Sequence, residues 1–96
     1  PPWGQSNAWL SVVTFDPAVY PDAPTRIRVA LEERNIESRP VWKPMHQQPV
    51  FAGAQSFLNG NADRVYASGL CLPSGPGITD SDIEEVCDVV SQTLRA

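Results

Sequence analysis

Apolar positions along this chain fall into alternating short-period and helical-period stretches. Trp9 to Phe15, Trp-Leu-Ser-Val-Val-Thr-Phe, is β-branched and aromatic and predicts a strand that Asp16-Pro17 ends. Both of its faces are apolar, so burial on both faces or one covered edge is expected. Pro21-Asp22-Ala23-Pro24 predicts a helix entry with Asp22 as N-cap and proline in the first turn. In that helix Ile27, Ala30 and Leu31 share one face, while Arg26, Arg28, Glu32 and Glu33 face out. Asn35 suits a left-handed residue just past the helix, with Ile36 packing back. Ile36 to Val41 then predicts a second strand, cut short by Pro40.

From Pro49 to Gly60 the pattern is that of a loop, with Phe51, Phe57 and Leu58 as candidate anchors. Asn61 is placed as the cap of a short helix running through Ser68, with Ala62, Val65 and Tyr66 on one side and Gly69 as terminator. Leu70-Cys71-Leu72 predicts a third strand, stopped by Pro73. The last helix has the clearest signature. Thr79 with Asp82 three residues on resembles a capping box. Ile83, Val86, Cys87, Val90 and Leu94 recur at helical spacing. Acidic Asp80, Asp82, Glu84 and Glu85 sit at the positive end of its dipole and Arg95 at the negative end. The order β-α-β-loop-α-β-α predicts an α/β (α+β) two-layer sandwich in a single unit, residues 1–96. A small, mainly antiparallel or mixed sheet carries helices on one face. Trp3, Trp9 and Val13 are left poorly covered, which suggests a missing partner surface.

Composition narrows the function. A hydrophobic fraction of 42% excludes a disordered chain. Net charge −4 and pI near 4.7 argue against a nucleic-acid surface. No apolar run is long enough to cross a bilayer and no signal-peptide pattern is present. Cys71 and Cys87 both sit in apolar frames and read as buried reduced thiols of a cytoplasmic protein, with a disulfide as the lesser alternative. Without a CxxC motif or a second His, a metal site is not expected.

Candidate chemistry is concentrated in Glu37 to Phe51, which holds the only Lys, His and Met. Arg39, Lys43 and His46 bring three anion-binding groups into one short basic stretch of an acidic chain. Pro40, Pro44 and Pro49 stiffen it. Arg39 reads as a bidentate phosphate clamp or as a surface arginine. Lys43 reads as an anion-binding or solvated side chain, a Schiff-base role being the minor reading. His46 reads as a hydrogen-bond partner for a ligand, a structural residue or a general base; no carboxylate lies near it in sequence. Trp42 can stack on a ring or pack. Ser74-Gly75-Pro76-Gly77 lacks the spacing of a phosphate loop. No complete catalytic set is present.

Arg39-Pro-Val-Trp-Lys-Pro-Met-His-Gln-Gln-Pro-Val-Phe51, Gly69-Leu-Cys-Leu-Pro-Ser-Gly75 and Thr79-Asp-Ser-Asp-Ile83, in this order, resemble the C-terminal segment of the DegT/DnrJ/EryC1/StrS aminotransferases. Ser6-Asn7-Ala8-Trp9-Leu10 is similar to the family's strand entry, although a basic residue often replaces Ala8. The resemblance covers nearly the whole chain. It implies the small C-terminal domain of a fold type I enzyme that depends on pyridoxal phosphate and aminates a 4-keto-6-deoxy sugar nucleotide from a donor such as glutamate. It further implies a homodimer and a missing N-terminal large domain holding the cofactor and its lysine, so that the 96 residues alone are inactive. Substrate contacts are implied for His46 first, then Arg39, Lys43 and Met45, with no catalytic residue in this chain. The bottom-up alternative is a free-standing domain that binds a small anionic ligand.

Overall fold

A computed structural model describes residues 2–96. The elements run β1 (Ser11–Thr14), α1 (Ala23–Glu32), β2 (Arg39–Pro40), two 3-10 turns (Met45–Gln47 and Pro49–Phe51), α2 (Asn61–Ser68), β3 (Gly69–Leu72) and α3 (Asp80–Arg95). The predicted order therefore holds. The last strand in sequence is central: the sheet order is β1-β3-β2, antiparallel throughout.

Register divides the sheet into two faces. Val13 pairs with Leu70 and Ser11 with Leu72, while Val12 and Arg39 both pair with Cys71. Paired residues share a face, and alternate residues take opposite faces. Leu70, Leu72 and Val13 thus meet α1 and α3. Ala23, Ile27, Leu31, Leu70, Val86 and Val89 form the buried cluster, with Val13, Phe15, Tyr20, Ala30, Ile36, Val90 and Leu94 packed around it.

Each helix starts and stops for local reasons. At α3 both halves of the capping box form: Asp82 N–H donates to Thr79 Oγ1 (3.1 Å) and Thr79 N–H to Asp82 Oδ2 (2.9 Å). The Thr79 backbone bond, then its hydroxyl, hold the Asp82 carboxyl below its ordinary pKa. The end of α1 is as expected. Asn35 is left-handed (φ 59°), and Ile36 N–H reaches back to Leu31 O at 3.0 Å. Arg26 Nη2 donates to Thr93 O at 2.7 Å, tying α1 to the end of α3.

Several expectations need correction. Asp22 occupies the N-cap position but is left-handed (φ 58°), and its side chain caps nothing. That backbone conformation turns the carboxylate away from the helix N–H groups. Gly60 rather than Asn61 caps α2. Arg26 is half-buried by its bond to α3 instead of facing out. Val13 packs on the core, whereas Val12 on the same strand is exposed, so β1 is not buried on both faces. Phe51, Phe57 and Leu58 are exposed and anchor no loop within this chain. Cys71 is buried but Cys87 is exposed, because Val86 and Val89 take the inner stripe of α3. Both thiols are free.

Gly69 marks the junction where α2 runs directly into β3. A Cβ there would stand 2.6 Å from Val65 O and 2.8 Å from Val41 Cγ2, so only glycine lets the two backbones approach. The radius of gyration is 15.4 Å. An ordinary domain of this length has about 12.5 Å. Large apolar side chains such as Trp3, Trp9, Trp42 and Phe57 remain exposed.

Candidate functional site

The uncovered side of the sheet carries a groove of about 930 Å³. Trp9 and Leu10 at the entry to β1 form one wall. Arg39 to Lys43, leaving the sheet from β2, forms another, and Tyr66 of α2 and the Pro73–Pro76 turn complete it. Ser74 Oγ donates to Trp9 O at 3.2 Å, which fixes the turn to the β1 entry across 65 residues of sequence. The rings of Trp9 and Trp42 lie 5.1 Å apart at 40°, a tilted aromatic pair at the edge of this groove.

Arg39 and Lys43, two of the four predicted contact residues, line the groove together. Extended backbone at 37–39 puts Glu37 and Arg39 on one side, and Arg39 Nε donates to Glu37 Oε1 at 2.8 Å. Both side chains are mostly exposed, so this pair is weak and easily exchanged for a ligand anion. Lys43 has no ion-pair partner among the described residues; its carbonyl accepts from Gln48 Nε2 at 3.0 Å.

Met45 and His46 lie farther along the same loop and do not line the groove. Pro44, buried, sets the start of a 3-10 turn in which Gln47 N–H bonds Pro44 O and Gln48 N–H bonds Met45 O. That turn projects Met45 outward and directs His46 at α2. His46 Nε2 and Asp63 Oδ1 are 3.0 Å apart, and Gln47 Nε2 donates to the same oxygen. Asp63 was not legible: it lies 17 residues from His46, in a helix that sequence periodicity alone places. Trp9 as a partner of Trp42 was missed for the same reason. Glu37 had a visible signal, its two-residue spacing from Arg39 in an extended stretch.

Among the described residues no group of three or more His, Cys, Asp or Glu is arranged to hold a metal. Among the described residues no helix is long and apolar enough to cross a membrane.

Comparison with known proteins identifies relatives of this chain. Over 91 residues the chain is 37% identical to EpsN of Bacillus subtilis, named as a pyridoxal phosphate-dependent aminotransferase; the match covers 91% of this chain and 23% of EpsN. It is 38% identical over 64 residues to the GDP-perosamine synthase of Caulobacter vibrioides, covering 67% of this chain and 17% of that protein. With the GDP-perosamine synthase of Vibrio cholerae the identity is 29% over 85 residues, covering 85% and 22%. The chain thus spans about a fifth of the length of these relatives. Residues 1–91 match the model of the DegT/DnrJ/EryC1/StrS aminotransferase family, and the chain belongs to that family.

Proposed function

We propose that this chain is the C-terminal small domain of a longer aminotransferase that uses pyridoxal phosphate to aminate a 4-keto-6-deoxy sugar nucleotide from an amino donor such as glutamate. The observation that carries the reading is the family match over residues 1–91 in a chain that covers only 17–23% of its relatives. Relatives named GDP-perosamine synthase support the sugar-nucleotide class.

A pyridoxal phosphate site requires a lysine for the aldehyde, a carboxylate for the ring nitrogen and a phosphate cup. These residues do not fit that description. Lys43 is the only lysine and faces an open groove, and the Asp63 carboxylate is bonded to His46 and Gln47. The cofactor is therefore assigned to the large N-terminal domain, and residues 1–96 alone are inactive.

The contribution of this chain is binding. Arg39 and Lys43 share one groove and suit a diphosphate, as a fork and as a point charge. Met45, exposed and unbranched, gives an adaptable apolar contact to the deoxy sugar. His46 supplies a directional hydrogen bond. Three prolines hold the loop, which lowers the ordering entropy on binding. In the homodimer this loop reaches toward the active site of the neighbouring subunit, in the cytoplasm.

The test uses the full-length protein. It should show the absorption band of lysine-bound pyridoxal phosphate and transfer nitrogen from glutamate to a nucleotide-linked 4-keto-6-deoxyhexose. A colourless preparation with no lysine-bound cofactor refutes the reading.

A further inference from the structure

We propose that Asp63 is a positioning residue that holds His46 for its ligand contact and sets which ring nitrogen meets the ligand. The inference rests on the reading of His46 as a substrate contact and adds a residue outside the loop that carries the other contacts.

The geometry is specific. Asp63 stands in the first turn of α2, where a carboxylate is favoured by the helix dipole. It does not cap the helix, since the N-cap is Gly60 and makes no side-chain cap bond. Oδ1 is instead turned outward to the loop, where it accepts from His46 Nε2 at 3.0 Å and from Gln47 Nε2. Two neighbouring side chains of one 3-10 turn therefore converge on one oxygen of a distant helix. A carboxylate can only accept, so Nε2 carries a proton. Nδ1 is then the nitrogen presented to a ligand, as an acceptor in the neutral ring and as a donor in the imidazolium. The His46 side chain retains 24% of its exposure, enough to be reached while its ring plane is fixed. Pro44, buried at the start of the turn, and Gln48, bonded to Lys43 O, hold the same segment from its other side. Arg39 is held only by its mostly exposed pair with Glu37 and Lys43 by no ion pair among the described residues, so within the four proposed contact residues His46 is the most firmly oriented.

The experiment is a double-mutant cycle on the full-length holoenzyme, with glutamate as donor and a GDP-linked 4-keto-6-deoxyhexose as acceptor. His46→Gln and Asp63→Ala should each lower kcat/KM about tenfold, the effect of one lost or misdirected hydrogen bond. The double variant should be no worse than His46→Gln, because Asp63 acts only through His46. Asp63→Asn keeps an acceptor oxygen and should stay within about threefold of the parent. Additive losses, or a fall in melting temperature that persists in the His46→Gln background, would make Asp63 merely structural and overturn the inference. A second readout is independent of turnover. The parent and Asp63→Asn should show a slowly exchanging imidazole Nε2–H proton by NMR, assigned by its disappearance in His46→Gln. Asp63→Ala should lose it; its survival there also overturns the inference. Should His46→Gln leave kcat/KM unchanged while that proton is present in the parent and lost in Asp63→Ala, it is the substrate contact that fails and the positioning that stands.

Discussion

The two faces of the three-stranded sheet differ in how far they are finished. On one, Ile27 and Leu31 of α1 and Val86 and Val89 of α3 close over Leu70, and the buried cluster is complete within the chain. On the other, Val12 remains exposed on β1, and Trp9 and Trp42 remain exposed in a groove that Arg39 and Lys43 also line. The finished face obeys helical and strand periodicity, because its partners are all local elements of the same chain. The loop residues of the open face follow no such period, and no helix of the described residues covers them. The buried cluster and the groove thus lie on opposite faces of one sheet.

The sharpest way to break this comparison is Gly69, which belongs to both sides. Gly69→Ala drives a methyl into Val65 O and Val41 Cγ2, and the backbone oxygen cannot move aside cheaply. We expect a loss of roughly 2–4 kcal/mol by urea titration, comparable to emptying a core position. A neutral result would mean that α2, β3 and the loop at Val41 are not held together.

A smaller effect, confined to the finished face, is expected at the α3 cap. Thr79→Ala removes the hydroxyl that accepts from Asp82 N–H and should cost about 1 kcal/mol. Its pH signature separates it from ordinary truncation. Asp82 has a lowered pKa in the folded chain, so its carboxylate adds stability above its unfolded pKa. That contribution disappears as pH falls through the lower folded value, in the window below about pH 4. Asp82→Asn should flatten the acid limb of a stability–pH curve, whereas Thr79→Ala, which keeps the Thr79 backbone N–H, should flatten it only in part; an unchanged limb in Asp82→Asn would sink the assignment.

The smallest stability effect is expected on the open face. Lys43→Ala should change unfolding free energy by less than about 0.5 kcal/mol, since it has no ion-pair partner among the described residues. The same change should raise KM for the sugar nucleotide several-fold in the full-length enzyme. If instead it unfolds the protein and spares KM, the two faces are not divided as described.

Much of this was legible in advance, and what was not follows a rule. The helices were visible because Ile27 and Leu31, or Val86 and Val90, repeat at 3.6 residues, and because Thr79-x-x-Asp82 and Asn35-Ile36 carry their own end signals. Errors fell where a residue's environment is set by something distant. Cys87 reads as apolar in sequence, yet Val89 takes the inward place. Asp22 has the composition of a cap but the backbone of a turn. Phe57 and Leu58 look like anchors, yet both remain mostly exposed among the described residues.

The candidate site divides in the same way. Sequence by itself determined that Arg39, Lys43, Met45 and His46 share a proline-stiffened loop, and the family that the loop belongs to, because spacing and backbone restriction are properties of consecutive residues. Only the tertiary structure decided that Arg39 and Lys43 face one groove while His46 turns aside to Asp63. The physical reason is that a central strand formed last in sequence, β3, brings α2 back beside a loop laid down earlier. No periodicity records that closure. It is fixed by which side chains can be buried together, and by Gly69, whose missing side chain leaves room for Val65 O and the Val41 side chain.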